Sequence, residues 1–255
     1  MELKELKSFL DDKVEVYNTP AFIENDPISI PHQFTLKEDI EIIGLLVATI
    51  AWGNRKSIIR SGNRLVNILG QSPFDFIMEY DNITSGVETF KHRTLNGFDL
   101  HFLLTRLNHI YHHGGLETAF SKGLTTDSIG TKDGIMHFRN QIFKEEDKRH
   151  RTQKHVANPN KGSASKRINM YLRWMVRKDN KGVDFGLWDS ISASQLSCPL
   201  DVHSGNIARM LGLLKRKQND LKAVEELDEN LRNMDVNDPS KYDFALFGLG
   251  VNEDF

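Results

Sequence analysis

The stretch from Pro159 to Arg177, PNKGSASKRINMYLRWMVR, is the most informative part of this chain. Its apolar residues between Ile168 and Val176 recur at the spacing of one buried face of a helix. At about 100° per residue, Arg173 and Arg177 fall within ~20° of Lys166, on a different face. We therefore expect an amphipathic helix that carries a cationic stripe.

The loop before this helix has the features of an anion site. Free backbone N–H groups and the positive end of the helix would point at an anion there, and phosphate is the obvious candidate. The surrounding segment, Lys148 to Lys181, contains eleven Lys or Arg residues and one acid, Asp179, although the whole chain has a net charge of −2. A solvated, partly mobile loop is the alternative interpretation of such a charge run.

A second motif follows from Cys198 to Leu213, CPLDVHSGNIARMLGL. Asp201 stands after a proline-led entry at the predicted start of a helix, where aspartate is a favoured N-cap. A purely capping role for Asp201 therefore remains open beside any chemical one.

Together the two motifs resemble the helix-hairpin-helix superfamily of DNA glycosylases, which includes endonuclease III and the 8-oxoguanine glycosylases. The resemblance implies that Lys166 is the lysine that attacks the sugar and that Asp201 is the assisting aspartate, the two catalytic residues. It also implies that the hairpin and the residues around the aspartate contact DNA. These implied DNA-binding residues are Lys161, Gly162, Ser163, Ala164, Ser165, Arg167, Arg173, His203 and Arg209.

The similarity extends to Leu45–Asn54, LLVATIAWGN, which looks like the superfamily's early helix leading to a DNA-inserting loop, and to Phe244–Gly250, FALFGLG. By this resemblance Trp52, Asn54 and Arg55 are candidates for the base pocket or the wedge that fills the gap in the duplex, with a core role for Trp52 equally open. At whole-chain level the sequence resembles a bacterial conserved family of unknown function.

The fold class that follows is all-α. Further helices are predicted by helical apolar spacing or by start and stop residues near 2–17, 36–52, 58–69, 72–80, 100–111, 116–122, 131–144, 203–214, 220–233 and 240–249. No stretch alternates long enough to propose a sheet. The resemblance implies two helical lobes, one over residues 36–175 that ends in the helix-hairpin-helix, the other combining residues 1–35 with 176–255.

Composition narrows the remaining classes. The single cysteine, Cys198, excludes an intramolecular disulfide framework and a cysteine-ligated iron–sulfur cluster within one chain, and a reducing, cytoplasmic setting is expected. No secretory signal is visible, and the apolar stretch near Ile42–Trp52 is too short to span a membrane. His109 and His113 have the i, i+4 spacing of a metal pair, but no HExxH glutamate lies between them, so we expect neither metal nor cofactor.

The leading hypothesis is a DNA repair glycosylase that excises a damaged base, with oxidised bases as one class, and that has lysine Schiff-base AP-lyase activity. Its partner is then duplex DNA with a damaged base. The alternative is a non-catalytic helix-hairpin-helix protein that binds DNA or RNA structure. A helical partner-binding scaffold is the third possibility, although it leaves the basic segment without a purpose. The sequence does not identify the lesion or the oligomeric state.

Overall fold

The computed structural model describes residues 2–80, 86–144 and 150–253. Helices predominate throughout this part of the chain. The elements are α1 (Leu3–Tyr17), α2 (Ala21–Glu24), α3 (Lys37–Ile50), α4 (Arg55–Leu69), α5 (Pro73–Met78), β1 (Lys91–His92), β2 (Leu95–Asn96), α6 (Gly97–His112), α7 (Gly115–Ser121), α8 (Lys132–Ile142), α9 (Lys166–Val176), α10 (Val202–Met210), α11 (Leu221–Met234) and α12 (Tyr242–Asn252).

The all-α prediction is confirmed. Apolar periodicity also predicted the helices close to the positions that they have in the structure. The span predicted near residues 2–17 is α1, and the one near 220–233 is α11. In the described ranges, the expectation of no sheet is wrong for one antiparallel ladder, in which Lys91 pairs with Asn96 and His92 with Leu95. Strands of two residues are too short for alternation to be visible in a sequence.

The chain divides into two compact units. The terminal unit comprises Met1–Phe22, Leu124–Asp133 and Asn158–Phe255, and the central unit comprises Ile23–Gly123 and Gly134–Ala157. This division differs from the expected lobes, since α9 belongs to the same unit as both chain ends. The reason is that the buried face of α9 packs against later parts of the chain, as when Tyr171 meets the ring of Trp188 edge-on at 5.6 Å.

The core of the terminal unit is formed by α1, α10, α11 and α12. Helix α12 packs against both α1 and α10. Leu10 of α1, Leu227 of α11 and Leu246 of α12 are completely buried in this cluster. Removing such apolar side chains from water is the main stabilising contribution of a helical core. Here it holds α10 in place, and Asp201 immediately precedes this helix.

The central unit is organised around α3. This helix is buried along almost its whole length, and it packs against α4 and α5. The buried carboxylate of Asp39 accepts a hydrogen bond from the backbone N–H of Phe74 at 2.8 Å, which fixes the start of α5. The apolar stretch near Ile42–Trp52, which is too short to span a membrane, therefore belongs largely to the core helix α3.

Candidate functional site

The predicted hairpin loop leads directly into α9, whose first residue is Lys166. One 3₁₀ turn, Pro159–Lys161, precedes the loop in place of a full first helix. Gly162 then has a φ of +84°, and Ser165 has a φ of +54°, a left-handed conformation that is uncommon outside glycine. Such backbone strain persists only where surrounding contacts hold it. Ser165 is buried, and its backbone N–H donates to the Ser163 hydroxyl at 3.2 Å.

The N-cap residue of α9 does not cap the helix with its side chain. Ser165 occupies the N-cap position, but its side chain accepts no capping hydrogen bond. Its hydroxyl instead donates to the carbonyl of Ser163 at 3.3 Å. The positive end of the 11-residue helix α9 therefore lies beside the loop.

Asp201 is the N-cap of α10, so the capping role considered for it is present. Its Oδ1 accepts hydrogen bonds from the backbone N–H of Ser204 at 2.9 Å and from the Ser204 hydroxyl at 3.2 Å. The Ser204 hydroxyl in turn accepts the backbone N–H of Asp201 at 2.9 Å. The backbone carbonyl of Asp201 accepts from Asn219 at 2.7 Å. Four hydrogen bonds thus fix both the backbone and one carboxylate oxygen.

The second carboxylate oxygen of Asp201 faces Lys166. The Nζ of Lys166 lies 3.7 Å from Oδ2, and the two side chains retain 31% and 21% of their exposure. Capping uses Oδ1 and leaves Oδ2 for the lysine, so the two roles do not compete for the same atom. The structure therefore brings together the two residues implied as catalytic, in a position that solvent reaches from one side.

The expected cationic stripe is wrong, because Arg173 and Arg177 are buried. Arg173 is 3% exposed and lies between two carboxylates, with Nε 3.2 Å from Asp184 Oδ1 and Nη1 2.5 Å from Asp243 Oδ2. Its guanidinium also stacks over the ring of Phe244 at 4.1 Å. A guanidinium held in this way is not available for DNA, so Arg173 is a structural residue.

Arg177 extends the same internal network. Its Nη1 lies 2.6 Å from Asp179 and 3.2 Å from Asp184, and its Nε lies 2.8 Å from Asp238. Burial alone would lower the pKa of Arg177, but these carboxylates raise it above its usual value. The sequence could not show this, because Asp184, Asp238 and Asp243 come from outside the basic segment and Asp179 alone does not indicate burial of the two arginines.

Asp243 connects this network to the pair. Burial raises the pKa of the Asp243 carboxyl to about 6, against the opposing effect of Arg173. Asp201 raises the pKa of Asp243 further, whereas Lys166 lowers it. The buried carboxyl therefore lies within electrostatic reach of both members of the pair.

The other residues expected to contact DNA have different surroundings. Lys161 is exposed in the loop, while Arg167 is partly buried, and burial lowers its pKa to about 10. His203 is exposed, with Nδ1 3.2 Å from the carbonyl of Gly250. Arg209 donates to the carbonyl of Arg216 at 2.8 Å and to Asn219 Oδ1 at 2.5 Å, so it supports the residue that holds the backbone of Asp201.

Trp52, Asn54 and Arg55 belong to the central unit. Trp52 is partly buried; its ring stacks on His155 at 5.8 Å and meets His92 edge-on at 5.2 Å. Asn54 is the N-cap of α4, and its side chain accepts the backbone N–H of Ser57 at 3.2 Å. Each of these two residues thus has a structural role, which does not exclude a contact with a ligand.

A second basic loop, between α10 and α11, was not predicted from the sequence. An antiparallel bridge joins Ser163 to Asp220, and the backbone N–H of Leu221 donates to the carbonyl of Gly162 at 3.0 Å. The loop between α10 and α11 is thereby fixed beside the hairpin loop. It carries the three cations Lys215, Arg216 and Lys217, and Lys222 follows in the first turn of α11. The run LKRKQNDLK was a visible signal, but only the bridge shows where it lies.

The chemistry open to this site is that of an amine beside a fixed carboxylate. A lysine amine can attack an electrophilic carbon, and a nearby carboxylate can accept its proton or stabilise positive charge that develops on the substrate. Among the described residues, no group of three or more His, Cys, Asp or Glu side chains is arranged to hold a metal ion. Lys148 and Arg149, two cations of the basic segment, lie outside the described residues.

Comparison with known proteins gives one match. A family model described as "Protein of unknown function (DUF2400)" matches residues 26–252. No curated protein and no solved structure matches the chain. Within the described part of the chain, none of the helices is long and apolar enough to cross a bilayer. Because the match covers almost the whole sequence, including α9 and α10, the chain belongs to the DUF2400 family.

Proposed function

We propose that this protein is a DNA glycosylase with AP-lyase activity, of the helix-hairpin-helix type, and that it excises a damaged base from duplex DNA. The observation that carries the proposal is the 3.7 Å approach of Lys166 Nζ to Asp201 Oδ2 at a partly exposed position. A loop with two left-handed residues, Gly162 and Ser165, leads into the helix that begins with this lysine.

Each residue of the pair has a defined task in this reaction. Positive charge that develops on the sugar as the C1′–N bond breaks is stabilised by the ionised carboxylate of Asp201. The neutral form of Lys166 Nζ bonds to C1′ and passes its extra proton to Asp201 Oδ2. The departing base keeps the bonding electron pair and takes this proton, which returns Asp201 to its ionised form. Nζ then expels the ring oxygen, which takes a proton from water, and a Schiff base forms on Lys166; loss of a C2′ proton to water then breaks the C3′–O bond by β-elimination, and the 3′ phosphate leaves.

The supporting structure suits a group that must not move. Asp201 is held through its backbone and its Oδ1, so Oδ2 keeps a fixed position while the substrate changes. Such preorganisation avoids the cost of reorienting the carboxylate in the transition state. Lys161 of the hairpin and Lys222 at the start of α11 are exposed, and they supply positive charge for the phosphate backbone.

A second candidate function is non-catalytic binding of DNA or RNA structure. One observation favours it: a lysine and a capping aspartate at 3.7 Å are also what a purely structural ion pair presents. A 3₁₀ turn stands where a full first helix is expected, but the loop and the start of α9 follow it, and these are the parts that would contact a phosphate.

Trapping of the covalent intermediate separates the two candidates. Duplexes with an abasic site or an oxidised base are incubated with the protein in the presence of borohydride, which reduces a Schiff base to a stable adduct. The proposal predicts an adduct with the unmodified protein and none with Lys166→Gln. Lys178→Gln, which removes an exposed charge two residues beyond the C-terminal end of α9, is the matched control and should retain the adduct.

Three results would overturn the proposal. An absence of adduct on every lesion, together with measurable DNA binding, would favour the non-catalytic candidate. An adduct that forms equally well with Lys166→Gln would assign the nucleophile to another amine. Loss of DNA binding in Lys166→Gln would instead identify Lys166 as a phosphate contact.

A further inference from the structure

Helix α4 of the central unit has one face that is polar and positively charged. Its buried residues, among them Ile58, Leu65 and Leu69, lie on one side. At about 100° per residue, the exposed residues centre on the opposite side. These exposed residues are Lys56, Arg60, Asn63, Arg64 and Asn67. The face therefore presents cations and amides, and residues 51–74 contain no Asp or Glu to neutralise them.

The β1–β2 hairpin continues this face. Arg64 donates from Nη1 to the carbonyl of Lys91 at 3.3 Å and from Nη2 to that of Thr89 at 3.2 Å, which ties α4 to the hairpin. Lys91 and Arg93 are both exposed. The guanidinium of Arg93 lies against the backbone of Gly53, where a Cβ would fall 2.5 Å from Nη1. The two hairpin cations thus adjoin the start and the middle of the helix.

A third segment adds to the same surface. Arg151 donates to Asn96 Oδ1 at 2.5 Å and to the carbonyl of Thr94 at 3.3 Å, so it is fixed on the hairpin. The acid that it contacts, Asp99, is completely buried. Beside Arg151 lies Phe98, 54% exposed, with its ring centre 5.8 Å from the guanidinium.

These features are those of a nucleic-acid surface. Clustered lysine and arginine side chains with amide groups bind phosphate oxygens of the nucleic-acid backbone. A helix that binds a membrane surface needs a broad exposed apolar face instead, whereas the apolar face of α4 is buried within its own unit.

We propose that the surface formed by α4, the β1–β2 hairpin and Arg151 binds the phosphate backbone of duplex DNA. We call it the α4 surface. The choice of DNA as partner rests on the proposed function, but the surface shares no residue with the Lys166–Asp201 pair and lies in the other unit. It is therefore a second contact region, with its own binding energy.

The test compares two triple variants that remove the same charge. The first changes three exposed cations of the α4 surface: Lys56→Gln, Arg60→Gln and Lys91→Gln. The second changes three exposed lysines elsewhere: Lys4→Gln, Lys122→Gln and Lys132→Gln. Binding of a fluorescein-labelled duplex is followed by anisotropy between about 50 and 250 mM salt, a range in which counterion release dominates.

Each phosphate contact contributes about 0.9 to the slope of log K against log salt. The α4 triple variant should therefore flatten the slope by about 2–3 and weaken binding at least about tenfold at 100 mM salt. The control triple variant should remain within about twofold of the unmodified protein, since it removes only diffuse charge. Equal losses in the two variants, or no loss in either, would overturn the proposal.

Two further readouts keep the alternatives apart. Vesicles of phosphatidylserine and phosphatidylcholine test a membrane surface, and loss of vesicle binding with unchanged DNA binding would overturn the proposal in favour of a lipid partner. Borohydride trapping at saturating protein tests the Lys166 chemistry separately. An α4 triple variant that binds weakly yet still forms the adduct supports the proposal, whereas a failure of trapping in the unmodified protein leaves the binding comparison intact.

Discussion

Replacing Arg173 with methionine should lower the free energy of unfolding of the terminal unit by about 3–5 kcal/mol at pH 7.5. The magnitude follows from the geometry. Arg173 is 3% exposed and pairs with Asp184, whose side chain is 0% exposed, and with Asp243, which is 9% exposed. Methionine fills much of the same space, but it leaves Asp243 without its ion-pair partner and Asp184 paired with Arg177 alone. A buried charge that loses its partner is strongly destabilising.

The loss should depend on pH in a defined direction. Loss of the guanidinium should raise the folded-state pKa of both carboxyls further above the unfolded value, because burial raises each pKa and Arg173 opposes that effect. A raised folded-state pKa gives stability that is complete below the unfolded value and is lost as pH rises through the folded value. The difference between Arg173→Met and the unmodified protein should therefore be small near pH 4 and should grow toward pH 8.

Urea unfolding followed by tryptophan fluorescence measures this loss. Trp174 and Trp188 are buried in the terminal unit, so their emission reports that unit. The matched control is Lys178→Met, which removes a pair with Asp189 in which the two side chains are 56% and 85% exposed. Exposed pairs contribute at most ~1 kcal/mol. If Arg173→Met lowers the free energy of unfolding by no more than the control does, the buried network is contradicted and Arg173 is again a candidate DNA contact.

Three further predictions concern the support of Asp201 and the buried acids. Asp201→Asn should keep the cap and change stability by less than ~1 kcal/mol, yet reduce the rate of base release about 100-fold or more in single-turnover assays. Gly205→Ala should cost about 1–3 kcal/mol in urea unfolding, because its Cβ would lie 2.9 Å from both Arg209 Nη1 and Asn219 Oδ1. Burial raises the pKa of Asp228 to about 6, so Asp228→Asn should gain about 3 kcal/mol relative to the unmodified protein between pH 3.5 and 7.5, measured by unfolding at each pH.

The helices were predictable because apolar spacing is a local property of the chain. The spans of α1 and α11 could be read from periodicity and end signals alone. The division into units was not predictable in the same way. It depends on which distant segment covers the buried face of α9, and a face that reads simply as apolar does not identify its partner.

The candidate site was predictable in its two central residues and less so in its surroundings. The position of Lys166 after a loop and of Asp201 before a helix could be recognised from their motifs, and the structure places them 3.7 Å apart. The burial of Arg173 was not predictable, since helical angles place it near Lys166 but say nothing of acids that arrive from residues 184 and 243. The loop that carries Lys215 and Lys217 was missed because its position depends on the bridge between Ser163 and Asp220.

Mapping the reduced adduct tests the central claim most directly. The unmodified protein is trapped on an abasic duplex with borohydride, the DNA is digested, and the peptides are sequenced by mass spectrometry. The account predicts a deoxyribose remnant attached to Nζ of Lys166, with the Asp201→Asn variant giving the same modified peptide more slowly. A remnant on another lysine or on the chain's amino terminus, with Lys166 unmodified, would contradict it.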